Sequence, residues 1–484
     1  MNPILSSKAE QDVVINLPEG WASFPLREIA RSRKGKKPMR VEDEQWPGAV
    51  PYIDIETLET GMPHRYADST SSVSATPGDI AVVWDGARCG LVGKVPINGA
   101  LGSTLAKIEF SGMNSAYVFH FLQSQFATIN SNPRGTGIPH VEPSLFWDLK
   151  LPLCSLAEQK RIVAKIEELL AQVNAACTRL ARASQALKRF RQAVFVNACT
   201  GRLTEDWREM HSQLESTNEL FKRFAARNLS EETRKNNGGK QINKSDSQEH
   251  LPKLPDLWSW VTINEFADVR GGIQKHPKRI PKRNAYPYLR VANVLRGKLD
   301  LTEVHKMELF EGELENYRLK RNDLLVVEGN GSLGEIGRSA IWNGEIDVCI
   351  HQNHIIRVRP RFCSTAYLNT FWNSPIGTAM IAKVAVTTAG LYNLSTQKVG
   401  RMPIPLPPLE EQHEIVRRVE ALFKLAESIE KRVEVATRRA NKLSQGILAK
   451  AFRGELVPTE AELARRKGRD FESFSKRNHS SEYL

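Results

Sequence analysis

Length, composition and charge already narrow what this chain is able to do. Its 484 residues exceed one ordinary domain, and at about 150 residues per domain they predict roughly three packing units. Hydrophobic residues make up 41% and charged residues 25%, which excludes a globally disordered chain. Lysine and arginine outnumber aspartate and glutamate by 68 to 55, a net charge of +13, so we expect a polyanionic partner such as nucleic acid. Neither a membrane-spanning run nor a signal segment is evident, so we expect a cytoplasmic protein.

Residues 1–150 are expected to form a mixed α/β domain, because short β-rich runs alternate with Gly- and Pro-rich loops. A block at 31–40 holds six basic residues and no acidic residue. Such a loop is suited to neutralising phosphates, and the alternative is an ordinary solvated face of a basic protein. The DNA contacts predicted in this domain are Arg33, Lys34, Lys36, Lys37, Arg88 and Arg134.

Residues 151–207 predict a long helix. Apolar residues recur at strict 4,3 spacing from Ile162 to Val194, which is typical of a coiled coil. Ser155 and Glu158 form a capping box at its start, and Gly201 lies where the helix should end. The predicted seam includes Ile162, Ile166, Leu169, Val173, Leu180 and Leu187.

Residues 208–252 are polar and rich in Asn, Lys and Ser, which predicts a flexible linker with a short helix near 220–226. Residues 253–403 are expected to form a second α/β domain. Its block at 270–298 holds nine basic residues and no acidic residue, and side chains such as Gln274 are able to contact base edges. The predicted DNA contacts are Gln274, Lys275, Lys278, Arg279, Lys282, Arg283 and Asn330.

Residues 404–458 repeat the first helix. The segment 151–203 aligns without a gap onto 404–456, with fifteen of 53 positions identical. We therefore predict an α+β fold in which two α/β domains alternate with two long helices that pair as an antiparallel coiled coil, with pseudo-two-fold symmetry. The alternative is two amphipathic helices packed on separate cores. The tail at 459–484 is polar and expected to fray. The second seam includes Ile415, Val419, Leu422, Ile429, Val433 and Leu443.

Motifs that would indicate catalysis or metal binding are incomplete. The glycine-rich stretch at 86–95 lacks the residues that a phosphate-binding loop needs. The Gly-x-Gly-x-x-Gly at 329–334 precedes another strand pattern instead of a helix, which argues against a dinucleotide site. Cys349, His351 and His354 lie in a strand pattern that points neighbours to opposite faces, which argues against zinc. We expect neither catalytic nor metal-binding residues in this chain.

Several strings resemble those of the specificity (S) subunit of type I restriction–modification enzymes. They are Leu-Pro-Glu-Gly-Trp at 17–21, the Pro-Leu…Glu-Gln…Ile-Val pattern at 152–163 with its near-copy at 405–416, the stretch 187–204, and the ending at 443–458. The resemblance covers essentially the whole length. It implies two target-recognition domains, at 1–150 and 253–403, alternating with the two helices.

The same resemblance implies a function and partners. It implies a non-catalytic subunit that recognises a bipartite, asymmetric site in double-stranded DNA. Two methyltransferase (M) subunits would methylate adenine there, and two restriction (R) subunits would cleave with ATP. S-adenosylmethionine, ATP and Mg2+ would bind those partners, and this chain would bind no cofactor. The alternative is a self-contained DNA-modifying enzyme, a nuclease or methyltransferase with an unrecognised active site.

Overall fold

The computed structural model describes residues 17–70, 72–135, 137–211, 213–227, 253–388 and 391–471. By their contacts, these residues divide into two units. The first unit contains the described residues up to Ala181 together with those from Glu434 onward, and the second contains those from Arg182 to Val433. Each unit therefore combines one α/β domain with half of each long helix.

Up to residue 201, strands alternate with short helices before one long helix. The strands are β1 (Ala22–Pro25), β2 (Ala30–Lys34), β3 (Val41–Glu42), β4 (Ala49–Ile53), β5 (Tyr66–Asp68), β6 (Val73–Ala75), β7 (Ile80–Val83), β8 (Val92–Lys94), β9 (Gly99–Leu101), β10 (Leu105–Phe110) and β11 (Lys150–Leu153). The helices are α1 (Leu26–Ile29), α2 (Ile55–Thr60), α3 (Ser115–Ser124), α4 (Phe126–Ser131), α5 (Pro143–Trp147) and α6 (Leu156–Cys199).

The rest of the chain repeats this order. Its strands are β12 (Ser259–Thr262), β13 (Ala267–Gly271), β14 (Ala285–Leu289), β15 (Val294–Leu295), β16 (Lys298–Leu299), β17 (His305–Glu308), β18 (Asp323–Val327), β19 (Gly329–Asn330), β20 (Ser339–Trp342), β21 (Ile350–His351), β22 (Ile355–Pro360), β23 (Val386–Thr388), β24 (Leu391–Asn393) and β25 (Pro403–Leu406). Its helices are α7 (Glu205–Met210), α8 (Thr217–Arg227), α9 (Ile263–Phe266), α10 (Leu314–Tyr317), α11 (Thr365–Trp372), α12 (Pro375–Val384), α13 (Thr396–Gly400), α14 (Leu409–Phe452) and α15 (Glu460–Arg466).

Strand β7 shows how the α/β domain of the first unit is layered. It lies inside an antiparallel sheet of order β2-β10-β7-β8. All four of its residues are buried, because successive side chains point to opposite faces and both faces are covered. Ile80 and Val82 pack into a core shared with helix α3 and the long helices. Ala81 and Val83 pack into another core, shared with the sheet of order β3-β5-β4-β9-β6.

The second unit has the same layers. Strand β18 lies inside a sheet of order β13-β22-β18-β20. Leu324 and Val326 pack into the core that contains α11, whereas Leu325 and Val327 pack against β14. Strand β14 pairs in parallel with β21, as β4 does with β9 in the first unit. The duplication seen in the long helices therefore extends through both α/β domains, and the predicted α+β class is confirmed.

The two long helices pack against each other with opposite directions. In the second unit, the rings of Phe195 and Phe423 pack edge to face with their centroids 4.9 Å apart. Nη2 of Arg191 lies 2.9 Å from Oε2 of Glu430. Residue numbers rise along α6 as they fall along α14, so the pair is antiparallel, as predicted. In the first unit, Ile162, Ile166 and Val173 of α6 share a core with Ile447, Leu448, Ala451 and Phe452 of α14.

The predicted seam holds next to the domain cores and fails elsewhere. Ile415 and Val419 are buried like their first-unit counterparts Ile162 and Ile166, and Leu187 is buried as well. Ile429 and Leu443, by contrast, are 36% and 56% exposed. The difference lies in the packing, because Ile415 and Val419 belong to the core of the second unit, whereas Ile429 and Leu443 belong to neither of the cores that the long helices share with the α/β domains. Among the remaining seam positions, Leu169, Leu180, Leu422 and Val433 are half-buried.

Two segments that were expected to be flexible are folded where the structure describes them. The predicted linker contains α8, which confirms the short helix expected near 220–226. At the start of α8, Oγ1 of Thr217 donates to the carbonyl oxygen of Leu406 at 2.8 Å. Residues 228–252 lie outside the described residues. In the predicted tail, a capping box between Thr459 and Glu462 begins helix α15. Burial of Ala464 on its inner face holds this helix against the first unit.

A buried glutamate near the start of each long helix joins these parts. In the first unit, Glu158 accepts a hydrogen bond from Nε1 of Trp21 at 2.9 Å and another from the main-chain N–H of Glu460 at 3.0 Å. Burial raises the pKa of this carboxyl group. The side chain of Glu158 therefore connects three parts of the chain: the tryptophan of the Leu-Pro-Glu-Gly-Trp string, the start of α6 and the start of α15.

The second unit builds the same junction around Glu411, which is fully buried. Its carboxylate accepts hydrogen bonds from Nε1 of Trp258 at 2.8 Å and from Oγ1 of Thr204 at 2.7 Å, and it pairs with Nη1 of Arg208. A buried carboxylate is tolerated only when such donors surround it. The residues that follow α6 thus complete this junction.

The glutamine that follows each glutamate attaches the helix to its α/β domain. Oε1 of Gln159 accepts from the main-chain N–H of Asn114, the residue that caps α3, at 2.9 Å. Its Nε2 donates to the carbonyl oxygen of Cys154 at 2.9 Å. Gln412 accepts the matching bond from Ser364, the cap of α11, at 2.7 Å. The repeated Glu-Gln pair is therefore a structural joint.

Replacing Glu411 by Gln should destabilise the second unit. The change removes the negative charge that faces Arg208 and leaves a buried donor without an acceptor, a loss of about 1–3 kcal/mol. The matched control is Glu434→Gln on the same helix, where the glutamate is 67% exposed and pairs with Arg438. Its cost should stay below about 0.5 kcal/mol. Chemical denaturation of both variants measures the difference, and equal stabilities would contradict the junction.

Candidate nucleic-acid interface

The basic block of the first domain lies along a sheet edge. Strand β2 is the outer strand of its sheet, and Arg33 and Lys34 are exposed on it. Beyond Lys34 the chain passes so close to β9 that a Cβ at Gly35 would collide with the carbonyl oxygen of Gly102. Only glycine fits there, and the close passage directs the exposed side chains of Lys36 and Lys37 away from the sheet into solvent.

Asp85 connects this strand to a hairpin that includes Arg134 and His140. Nζ of Lys34 lies 2.8 Å from one carboxylate oxygen of Asp85, and Nδ1 of His140 lies 2.7 Å from the other. Burial alone would raise the pKa of Asp85, but the hydrogen bonds from Lys34 and His140 outweigh it and lower that pKa. The ionised carboxylate of Asp85 therefore holds Lys34 in place, together with the hairpin that bears Arg134. Arg88, which follows Asp85 closely in the sequence, is exposed and forms an ion pair with Glu59.

The second domain repeats this arrangement after its outer strand β13. A Cβ at Gly272 would collide with the carbonyl oxygens of His351 and Gln352. Gln274 is exposed, as are Lys275, Lys278, Lys282 and Arg283, whereas Arg279 is half-buried. Asn330 is half-buried in β19, which pairs with β24. This pairing occupies the position that the contact between Asp85 and His140 occupies in the first domain.

The second basic block is organised by two acidic residues. Glu308 accepts main-chain hydrogen bonds from Lys282 at 2.7 Å and Asn284 at 2.9 Å. Glu313 holds both terminal nitrogens of Arg279, at 2.7 and 2.8 Å, and the guanidinium lies over the ring of Phe310. The Arg279 side chain is only 13% exposed.

The structure thus separates the predicted contacts by role. Arg279 positions the block, whereas four cations of that block have exposed side chains: Lys275, Lys278, Lys282 and Arg283. In the first domain, Arg33 lies 3.0 Å from Glu109 and remains mostly exposed. Sequence reasoning did not identify Asp85, His140 or Glu313, because nothing in their spacing distinguishes them before the chain folds.

No group of three or more His, Cys, Asp or Glu side chains suited to a metal ion occurs in the described ranges. His351 is fully buried, with its pKa lowered to about 4 by burial, while His354 is exposed and lies 3.2 Å from Glu328. These two histidines therefore do not converge. Within the part of the chain that the structure describes, no helix is both long and apolar enough to cross a bilayer.

Comparisons with known proteins match both halves of the chain. The model of the family described as type I restriction modification DNA specificity domain matches residues 18–181 and again 255–437. The EcoKI specificity subunit of the type I restriction enzyme from Escherichia coli K12 is 30% identical over 474 residues, covering 91% of this chain and 90% of that protein. The StySPI specificity subunit from Salmonella potsdam is 32% identical over 466 residues, with the same two coverages.

A solved structure shares the fold. It comes from a study of complex assembly and conformational transition in a type I restriction–modification system. The TM-score is 0.62 at 20% identity, covering 91% of this chain and 99% of the solved chain.

Replacing Gly272 by Ala should disturb the second basic segment. The added methyl group collides with two main-chain carbonyl oxygens, which do not move as a side chain would, so we expect a loss of about 1–3 kcal/mol. Gly331→Ala is the matched control, because a Cβ there meets nothing within 4 Å. Chemical denaturation together with amide exchange of residues 270–284 provides the measurement. A Gly272→Ala protein as stable and as protected as the control would show that the close passage does not constrain this segment.

Proposed function

This chain belongs to the type I restriction modification DNA specificity family, and from that membership we propose that its two α/β domains bind the two halves of one asymmetric DNA target. The chain is the DNA-recognition subunit of a type I restriction–modification complex and is not itself an enzyme. What remains to be proposed is how it recognises DNA and which partners do the chemistry.

One structural observation supports a DNA target made of two different half-sites. Each domain places a basic segment directly after its outer sheet strand, beyond a glycine that the neighbouring main chain makes necessary, Gly35 or Gly272. The frameworks match, but the exposed segments differ in sequence, Lys-Lys-Pro-Met-Arg at 36–40 against Gln-Lys-His-Pro-Lys-Arg at 274–279. Equivalent supports with different side chains would contact different bases, while the shared positive charge would bind phosphates.

The chemistry is assigned to partners. We propose two methyltransferase subunits that use S-adenosylmethionine to methylate adenine in each half of the target. Two restriction subunits would cleave DNA with ATP and Mg2+. A self-contained enzyme, the second candidate that the sequence alone leaves open, is favoured by none of these observations. It would require methylation or cleavage by the purified chain alone, so the assays include the chain without partners.

Exchanging the segment between β1 and β11 should change only half of the target. The exchange covers residues 26–149, so that the β1–β11 pair and the Trp21–Glu158 bond stay in place. With a relative's segment inserted, methylated adenines mapped across the host genome should show a new sequence on one side and the old sequence on the other. A change on both sides would contradict separate recognition, and methylation by the chain without partners would favour the second candidate.

Removing the exposed cations of the second block should flatten the salt dependence of DNA binding. In the quadruple variant, Lys275, Lys278, Lys282 and Arg283 become Gln, while Arg279 is kept because it holds the block in place. If all four contact phosphates, the slope of log K against log salt falls by about 3 to 4 for the assembled complex.

Two controls accompany this measurement. Lys36→Gln with Lys37→Gln removes two cations from the first domain, so the slope should fall by about 2. Lys188→Gln changes an exposed lysine on α6 outside both basic blocks, and the slope should stay the same. An unaltered slope in the quadruple variant, with normal stability, would show that the second block is a solvated surface only.

A further inference from the structure

The first domain presents one large apolar side chain among its cations. Ile138 is 65% exposed, in the hairpin between Arg134 and His140. A single exposed aliphatic residue is ordinary on a protein surface. Ile138 differs because the residues that follow it, Pro139 and His140, are hydrogen-bonded to the domain and because the nearby charges are those of the proposed DNA surface.

Main-chain hydrogen bonds close the hairpin on itself and onto the domain. The N–H of Arg134 donates to the carbonyl oxygen of His140 at 2.9 Å, and the N–H of His140 donates back at 3.0 Å. Pro139 accepts from the N–H of Gly86 at 2.8 Å. Gly135 has φ +92°, which makes the tight reversal possible. The side chain of His140 adds its bond to Asp85. The base of the hairpin is thus fixed to the domain.

The surroundings of the tip suit a close approach to DNA. Arg134 is exposed at the base of the hairpin, opposite His140, and Lys34 shares Asp85 with His140 at the same base. Gly137 lies beside Ile138, and even a Cβ at Gly137 would meet nothing within 4 Å. An exposed aliphatic group next to a glycine, on a hairpin with cations at its base, resembles the way proteins insert apolar side chains between base pairs.

The second domain repeats the pattern in its sequence. Strand β24 ends at Asn393, which pairs with Gly329 as His140 pairs with Asp85. Two residues before Asn393 stands Leu391, just as Ile138 stands two residues before His140. The two otherwise diverged loops therefore carry an aliphatic residue at the same position of the sequence.

We propose that Ile138 is a wedge that inserts between two stacked base pairs in the half-site bound by the first domain. Lys34 and Arg134, at the base of the hairpin, then bind phosphates beside the opened step. The proposal rests on the proposed function, since it needs the first domain to bind DNA. It adds a source of specificity without base-edge hydrogen bonds, because steps differ in how easily they open and kink.

The test uses the assembled complex and duplexes that carry the target identified from methylated adenines. 2-Aminopurine replaces one base at a time through the half-site of the first domain, and its fluorescence rises where stacking is lost. We expect a rise at one step apart from the methylated adenine. Ile138→Ala should abolish that rise and weaken specific binding roughly tenfold, the effect of exposing much of one aliphatic side chain. Ile138→Leu should preserve the rise.

Two internal references make the result decisive. Methyltransferases extrude the base they modify, so fluorescence at the methylated adenine should be the same with and without Ile138. Met210→Ala, which shortens a residue 72% exposed on α7, should change neither fluorescence nor affinity. An unchanged rise in Ile138→Ala, or weaker binding with no rise at any step, would overturn the wedge. Absence of any sequence preference with the unaltered chain would overturn the proposed function as well.

Discussion

The architecture depends on a hydrogen-bonded carboxylate buried at the start of each long helix. Glu158 and Glu411 sit out of water, and such a group is stable only when donors reach it from several directions. Those donors come from distant parts of the chain: a tryptophan before each α/β domain and a segment after a long helix. Satisfying one side chain therefore fixes the entry of the domain, the start of the helix and the closing segment together.

The closing segment also explains why the two ends of the chain resemble its middle. Around Glu411, closure comes from Thr204 and Arg208, which follow α6. Around Glu158 it comes from Glu460, which follows α14. Each repeat thus needs residues that come after a long helix, which is why a polar tail that would fray in isolation folds as α15.

The same framework leaves the proposed recognition surface free to vary. Strands β7 and β18 are buried on both faces, so they carry the packing of two cores each. In the loops beyond the outer strands, neighbouring carbonyl oxygens exclude any side chain at Gly35 and Gly272, and Ile273 packs into a core, whereas most of the cations are exposed. Exposed cations can therefore differ between the domains without a cost in stability, and acidic residues such as Asp85 and Glu313 position those that need support.

The sequence by itself determined the duplication, the two long helices and the basic character of both loops, because these follow from periodicity and composition. The opposite directions of the helices were predicted from the repeat, and contacts such as that of Arg191 with Glu430 established them. It also placed the Glu-Gln pair at each helix start without revealing what it does. Only the tertiary structure decided that Glu158 binds Trp21, that Arg279 is held by Glu313, and that Ile138 stands out from a fixed hairpin. It also moved Ile429 and Leu443 out of the seam. Sequence periodicity indicates the structure of a single helix or strand. The contacts named here join residues that are far apart in the chain, and they form only in the folded protein, where a buried polar group must be hydrogen-bonded.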